Sequence, residues 1–178
     1  MAPVRTKLPS AKQVAMMSYE ELGAYLKSPF LKDQEFAMAC AAHPDIKVVR
    51  AVAMDASTHP DMLEKLAAHD DLNVVENVAG NPSTPSHVLM GLLGHPSYTV
   101  QVALAWNPGA DDELLKRLAL FQNLRVVAGV VRNPNATPAL LTELAKHKDP
   151  DIRKLVDIYE RKKSKPLPKF VPRSKRGS

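Results

Sequence analysis

Apolar residues recur along this chain in two alternating stripes with a common interval of 26 residues, marked by Asn81-Pro82, Asn107-Pro108 and Asn133-Pro134. Counting back by the same interval gives starts at Asp55 and Pro29, so five units run 29–54, 55–80, 81–106, 107–132 and 133–158. With the first residue of each unit as position 0, position 8 holds Ala37, Leu63, Leu89, Leu115 and Leu141, and position 11 holds Cys40, Leu66, Leu92, Leu118 and Leu144. Position 7 holds Phe36, Met62, Val88, Leu114 and Leu140, and position 12 holds Ala41, Ala67, Leu93, Ala119 and Ala145. Spacing of i, i+1, i+4 and i+5 puts these on one helical stripe, which must be buried against a neighbour.

The second half of each unit carries its own helix signal. Position 16 holds Asp45, Asp71, Ser97, Asn123 and Asp149, all residue types whose side-chain oxygen can satisfy an orphan N–H of a first helical turn. Branched residues follow at position 19 (Val48, Val74, Val100, Val126, Ile152) and position 23 (Val52, Val78, Leu104, Val130, Val156), forming the inward side of a second helix. The first helix is expected to start after a Thr, Asp or His cap, as in Thr84-Pro85 and Thr137-Pro138, because proline at the first helical position loses no needed donor. Each Asn-Pro ends the preceding helix. A residue before proline is pushed to extended angles, so these asparagines are expected to bridge turns through their side chains.

Such helix pairs cannot bury their stripes alone. The expectation is an all-α, right-handed α-solenoid of about five 26-residue two-helix repeats with mainly nearest-neighbour contacts. Residues 1–28 form an N-terminal arm, in which Ser18 and Glu21 make a capping box opening a helix through about Lys27 that covers the first unit. At the other end, Arg153 and Asp157 stand at positions 20 and 24, which are apolar in most other units, as suits a terminal face toward water.

The phrase NPSTPSHVLMGLLGHPSYTVQVALAWNPG, echoed by NPNATPALLTELAKHKDPDIRKLV, resembles the leucine-rich repeat variant family, relatives of HEAT repeats built from alternating short helices. The similarity spans about residues 29–158, most strongly 55–158, and rests on the Asn-Pro, Leu-x-x-Leu and Val-x-x-x-Val/Leu spacings. It implies a curved solenoid and a binding role, and it implies no shared reaction.

Composition and charge sharpen this picture. Fifteen prolines with only 5% aromatic residues suit short helices stacked by aliphatic side chains. The repeat body 29–158 carries twelve Lys/Arg against sixteen Asp/Glu, while residues 159–178 carry eight against one. The basic pI therefore reports mainly on a C-terminal tail, whose prolines and charges predict disorder beyond about Lys163. No apolar run is long enough to span a bilayer and no signal-peptide core opens the chain, so a cytoplasmic, non-membrane protein is expected. A single cysteine, Cys40, excludes an intramolecular disulfide and any four-thiolate metal site from this chain alone.

The groups that could carry chemistry also have structural roles. His43, His69, His95 and His147 share position 14, but equivalent positions of stacked helices lie roughly 10 Å apart, too far to share a metal. They are expected to interact with the C-terminal carbonyls of the first helix. Asp111, Asp112 and Glu113 fall in a first turn, where they complement the helix dipole, and Asp70 with Asp71 receives the same reading. Cys40 sits in a core slot. Gly91 and Gly94 form no phosphate loop, and no zinc-protease, P-loop or dinucleotide fingerprint occurs. No catalytic residue, cofactor or metal is expected.

The informative surface is the outward ridge of the second helices, at positions 18, 21 and 25, which is expected to line the concave side. Trp106, the single tryptophan, lies there with Thr99 and Val102, next to Arg125 and Arg132, in a unit (81–106) that contains no Asp, Glu, Lys or Arg. An exposed tryptophan beside arginines in a charge-depleted patch is the composition of a protein-interface hot spot. Alternatively, Trp106 covers the Asn107-Pro108 turn. The leading expectation is a non-enzymatic adaptor or scaffold that presents Thr99, Val102, Trp106, Arg125 and Arg132 to a protein partner. The alternative is nucleic-acid binding, with Arg50, Lys154 and the solenoid arginines lining a groove and Arg161, Lys162, Lys163, Lys165, Lys169, Arg173, Lys175 and Arg176 contacting phosphates.

Overall fold

The computed structural model describes residues 8–26 and 29–163, and among them it is all helix and turn, without a strand. The α-helices are α1 (Ala11–Val14), α2 (Tyr19–Leu26), α3 (Gln34–Ala41), α4 (Ile46–Met54), α5 (Pro60–Leu66), α6 (Leu72–Gly80), α7 (Ser86–Gly91), α8 (Tyr98–Trp106), α9 (Asp112–Ala119), α10 (Leu124–Arg132), α11 (Pro138–Leu144) and α12 (Pro150–Lys163). Two helices therefore fall in each 26-residue unit. Positions 7, 8 and 11 of the first helices and 19 and 23 of the second are buried in all five units, and together they form one continuous core. Position 12 marks the edge of the stripe, because Ala119 is buried there while Ala145 is exposed. Helix α12 runs on through Lys163, past the unit boundary expected at residue 158. The expected tail disorder, and Lys165, Lys169, Arg173, Lys175 and Arg176, lie outside the described residues.

The caps follow the sequence with two exceptions. Asp45, Asp71, Asn123 and Asp149 each accept a backbone N–H two or three residues ahead. Ser97 does not cap, since its hydroxyl is engaged with Thr99 Oγ1 at 2.8 Å. Among the first helices, Asp33, His59, Asp111 and Thr137 cap, with Pro60 and Pro138 following at the first helical position. Thr84 stands one residue too early. Pro85 occupies the cap position, and the Thr84 hydroxyl donates instead to Val78 O at 2.6 Å, as the Thr58 hydroxyl does to Val52 O.

Asn81, Asn107 and Asn133 form a ladder that ties unit to unit. All three take extended angles, with φ of −73°, −67° and −66°. Each amide nitrogen donates to two carbonyls that flank an upstream unit boundary, one on the first residue of the preceding unit and one near the end of the unit before it: Asn81 to Asp55 O and Ala53 O, Asn107 to Asn81 O and Ala79 O, and Asn133 to Asn107 O and Ala105 O, at 2.7–2.9 Å. The side-chain oxygens accept N–H groups of their own turns, from Ser83, Gly109 and Asn135. These amides are nearly fully buried, so every bond replaces water that cannot reach the site.

The position-14 histidines correct the helix-dipole expectation. Nδ1 of His43, His69, His95 and His147 accepts the backbone N–H of the residue two ahead, Asp45, Asp71, Ser97 and Asp149, at 2.9–3.1 Å. The ring thus pins the turn that enters the second helix rather than donating to the first. With Nδ1 as acceptor, Nε2 carries the proton, and that of His43 donates to Met17 O at 3.0 Å.

The N-terminal segment holds more than one capping helix. The Ser18–Glu21 box forms, with Ser18 N–H on Glu21 Oε2 at 2.7 Å, and opens α2. Helix α1 precedes it, packing on α3 as α2 packs on α4. Val14, Leu22 and Leu26 lie 26 residues before Cys40, Val48 and Val52 and are likewise buried. The 26-residue register therefore extends upstream of residue 29, without the Asn-Pro and Leu-x-x-Leu marks that would disclose it.

Contacts between units are uneven. The second helices approach their successors closely at every step, from α4 to α6, α8, α10 and α12, whereas among the first helices only α1–α3 and α3–α5 do so. A groove of about 780 Å³ opens where α9 and α11 diverge, lined by Leu120, Phe121 and Leu144 and by charges of both signs.

Candidate functional site

The second helices carry the surface that the sequence singled out. Residues four apart on a helix share a ridge, so positions 17, 21 and 25 align along α8 as Tyr98, Val102 and Trp106. Trp106 is 48% exposed and Tyr98 52% exposed, while Val102 is half-buried against the core. The flanking helices add Leu72 of α6 and Leu124 of α10, both exposed at position 17. Tyr98, Leu72 and Leu124 were not among the expected site residues. Position 17 is apolar in four successive units (Ile46, Leu72, Tyr98, Leu124), and that row was the available signal.

Trp106 packs on the next helix. Its indole edge lies against Gly129 of α10, where a β-carbon would stand 2.9 Å from Cδ1 and 3.0 Å from Nε1. The Arg132 guanidinium lies 5.9 Å from the ring centroid, a cation–π contact of about 0.5–1 kcal/mol at an exposed site. Gly129 meets the indole edge and the Arg132 guanidinium lies over the ring, while about half of the side chain stays in solvent. Thr99 is half-buried through its bond to Ser97, and Arg125 and Arg132 are exposed.

The groups expected to bind nucleic acid are distributed differently. Arg50 does not line the ridge freely. It makes a two-pronged pair with Asp71, at 3.0 Å from Nε and 2.6 Å from Nη2, and this guanidinium holds the Asp71 carboxyl below the usual carboxylate range. Arg161 pairs with Asp157 at 2.8 Å, and Lys163 Nζ lies 6.0 Å from the Tyr159 ring centroid. Lys154 and Lys162 are exposed.

The remaining candidates have structural partners. Asp111 caps α9, whereas Asp112 pairs with Lys116 at 2.6 Å and Glu113 with Arg117 at 2.9 Å, so only the first of the three acts as a cap. Lys116, aided by the Thr137 hydroxyl, draws the Asp112 carboxyl downward in pKa. Burial pushes the Cys40 thiol up to about 12, which leaves it protonated and unreactive. Arg153 does more than face water: its Nη1 donates to the carbonyls of His147 and Lys148, closing the end of the preceding turn. Among the described residues, no group of three or more His, Cys, Asp or Glu could hold a metal ion, no helix is long and apolar enough to cross a membrane, and no buried side-chain nitrogen or oxygen lacks a partner.

No family model, curated protein or solved structure matches this chain.

Proposed function

We propose that this chain is a non-enzymatic, cytoplasmic protein-binding adaptor or scaffold. It is built as a right-handed α-solenoid of five 26-residue units behind a degenerate N-terminal unit, in the manner of the leucine-rich repeat variant proteins its motifs resemble. Support for the solenoid comes from the recurring asparagine bonds and from the stepwise contacts of α4, α6, α8, α10 and α12. Close second helices, beside first helices that part beyond α5, support a reading in which the second helices lie on the inner, concave side, because the row with the smaller spacing has the smaller radius.

The observation that carries the binding role is the ridge of α8: Tyr98, Val102 and Trp106 make an uncharged strip in which Trp106 is half-exposed yet held by Gly129 and Arg132. A preorganised aromatic anchor loses little freedom on binding, which is the property of a hot spot. A scaffold of this kind needs no reaction. The test is a photo-crosslinking residue at Thr99, with an equivalent at Lys65 on the first-helix face as control, in lysate of the native host. A discrete protein adduct at Thr99 that Trp106→Ala removes without loss of helicity is the expected result. Equal labelling at both positions, or labelling indifferent to Trp106, would overturn the reading. Retention of nucleic acid that depends on residues 164–178 would favour the alternative.

A further inference from the structure

We infer that the ridge takes an extended acidic peptide segment of a partner protein, with an apolar side chain against Trp106 and carboxylates toward Arg125, Arg132 and Lys154; the inference rests on the protein-binding reading above. Its basis is which guanidinium groups are left available. Arg50 is bound to Asp71, Arg117 to Glu113, Arg161 to Asp157, and Arg153 to the carbonyls of His147 and Lys148. Arg125 and Arg132 alone among the described arginines meet neither a carboxylate nor a carbonyl through the side chain. The contact that Arg132 makes is the indole of Trp106.

Both arginines stand on α10 at ridge positions, and Lys154 of α12 stands exposed on the same ridge one unit further on. Across positions 17, 18, 21 and 25 of α8, α10 and α12, Asp151 is the sole acid. The ridge therefore changes character along its length, from the uncharged Tyr98–Val102–Trp106 strip to a cationic stretch. Its complement is a chain with an apolar residue followed by Asp or Glu, since a guanidinium fork matches a carboxylate in two parallel hydrogen bonds. A nucleic-acid strand fits less well. Arg132 already occupies one face of the indole on which a base would stack.

The sole tryptophan makes the site its own reporter. Full-length protein is titrated with two fluorescently labelled, tryptophan-free peptides that share a Phe-Leu pair followed either by glutamates or by lysines, and with a single-stranded oligothymidylate. Anisotropy and Trp106 emission are read for the wild type and for an R125E/R132E double variant whose helicity and Tm are checked first. The glutamate peptide is expected to bind and shift Trp106 emission. Charge reversal should weaken it about tenfold or more, and the lysine peptide should then become the better ligand. Binding of the glutamate peptide that ignores the reversal and leaves emission unchanged reports attraction to the basic tail and overturns the inference. Equal binding of both peptides in the wild type overturns the acidic preference but spares the protein-binding reading. Oligothymidylate binding that depends on Arg125 and Arg132, with neither peptide bound, overturns both.

Discussion

Gly129 lies directly against Trp106: a β-carbon there would stand 2.9 Å from the indole Cδ1 and 2.7 Å from Ala105 Cβ. The indole could swing away from such a methyl, but Ala105 Cβ is fixed to the backbone of α8, so the two helices would have to part. Gly129→Ala gains up to about 1 kcal/mol of helix propensity and loses roughly 1–3 kcal/mol to overpacking. Net destabilisation with a shift in Trp106 emission is expected, measured by urea unfolding and native-state fluorescence. An unchanged spectrum with higher stability would show that the contact is loose.

Asn107 carries two inter-unit bonds and one turn bond from a nearly fully buried site. Asn107→Ala leaves Ala79 O, Asn81 O and Gly109 N each short of a partner, and a buried group left unsatisfied costs about 1–3 kcal/mol. Asn107→Asp should be at least as damaging at neutral pH, because it sets a carboxylate oxygen against the two carbonyls to which the amide donated. Chemical denaturation of both variants checks this. Full stability in Asn107→Asp would remove the ladder from the account of unit-to-unit cohesion.

The Arg50–Asp71 pair predicts a pH dependence. Because Arg50 depresses the folded-state pKa of Asp71, the stabilisation is complete above the unfolded value of about 3.9 and is lost as pH falls through the folded value. Asp71→Asn keeps a competent helix cap and removes the charge. Its Tm should lie modestly below wild type at neutral pH, with the gap closing in acid below the ordinary carboxylate range. A gap that is constant with pH would assign the loss to packing instead.

Cys40 is fully buried with its thiol raised to about 12. A thiol-reactive reagent at pH 8 should leave it unmodified in the native protein and label it on unfolding, with a denaturant midpoint matching that from circular dichroism. Rapid labelling without denaturant would mean that α3 opens locally, apart from the rest of the core.

Much of this architecture was legible in the chain because helices announce themselves locally. The 26-residue interval, the apolar stripes, the caps at Asp45, Asp71, Asn123 and Asp149 and the asparagine turns all depend on neighbours within a few residues, where spacing and side-chain chemistry suffice. The upstream helices α1 and α2 share the register, but only Val14, Leu22 and Leu26 mark it, and three apolar residues are too few to distinguish a degenerate unit from an arm.

What only tertiary structure decided is which groups from different units meet. Arg50 and Arg125 are both ridge arginines in sequence, yet Asp71 of the next unit neutralises the first, while among the described residues no acid pairs with the second. Likewise the pose of Trp106 depends on a missing side chain at Gly129, in another helix. The apolar pattern along a helix selects the side to be buried. The spacing and offset between helices determine which polar side chains are consumed by the fold and which remain for a partner.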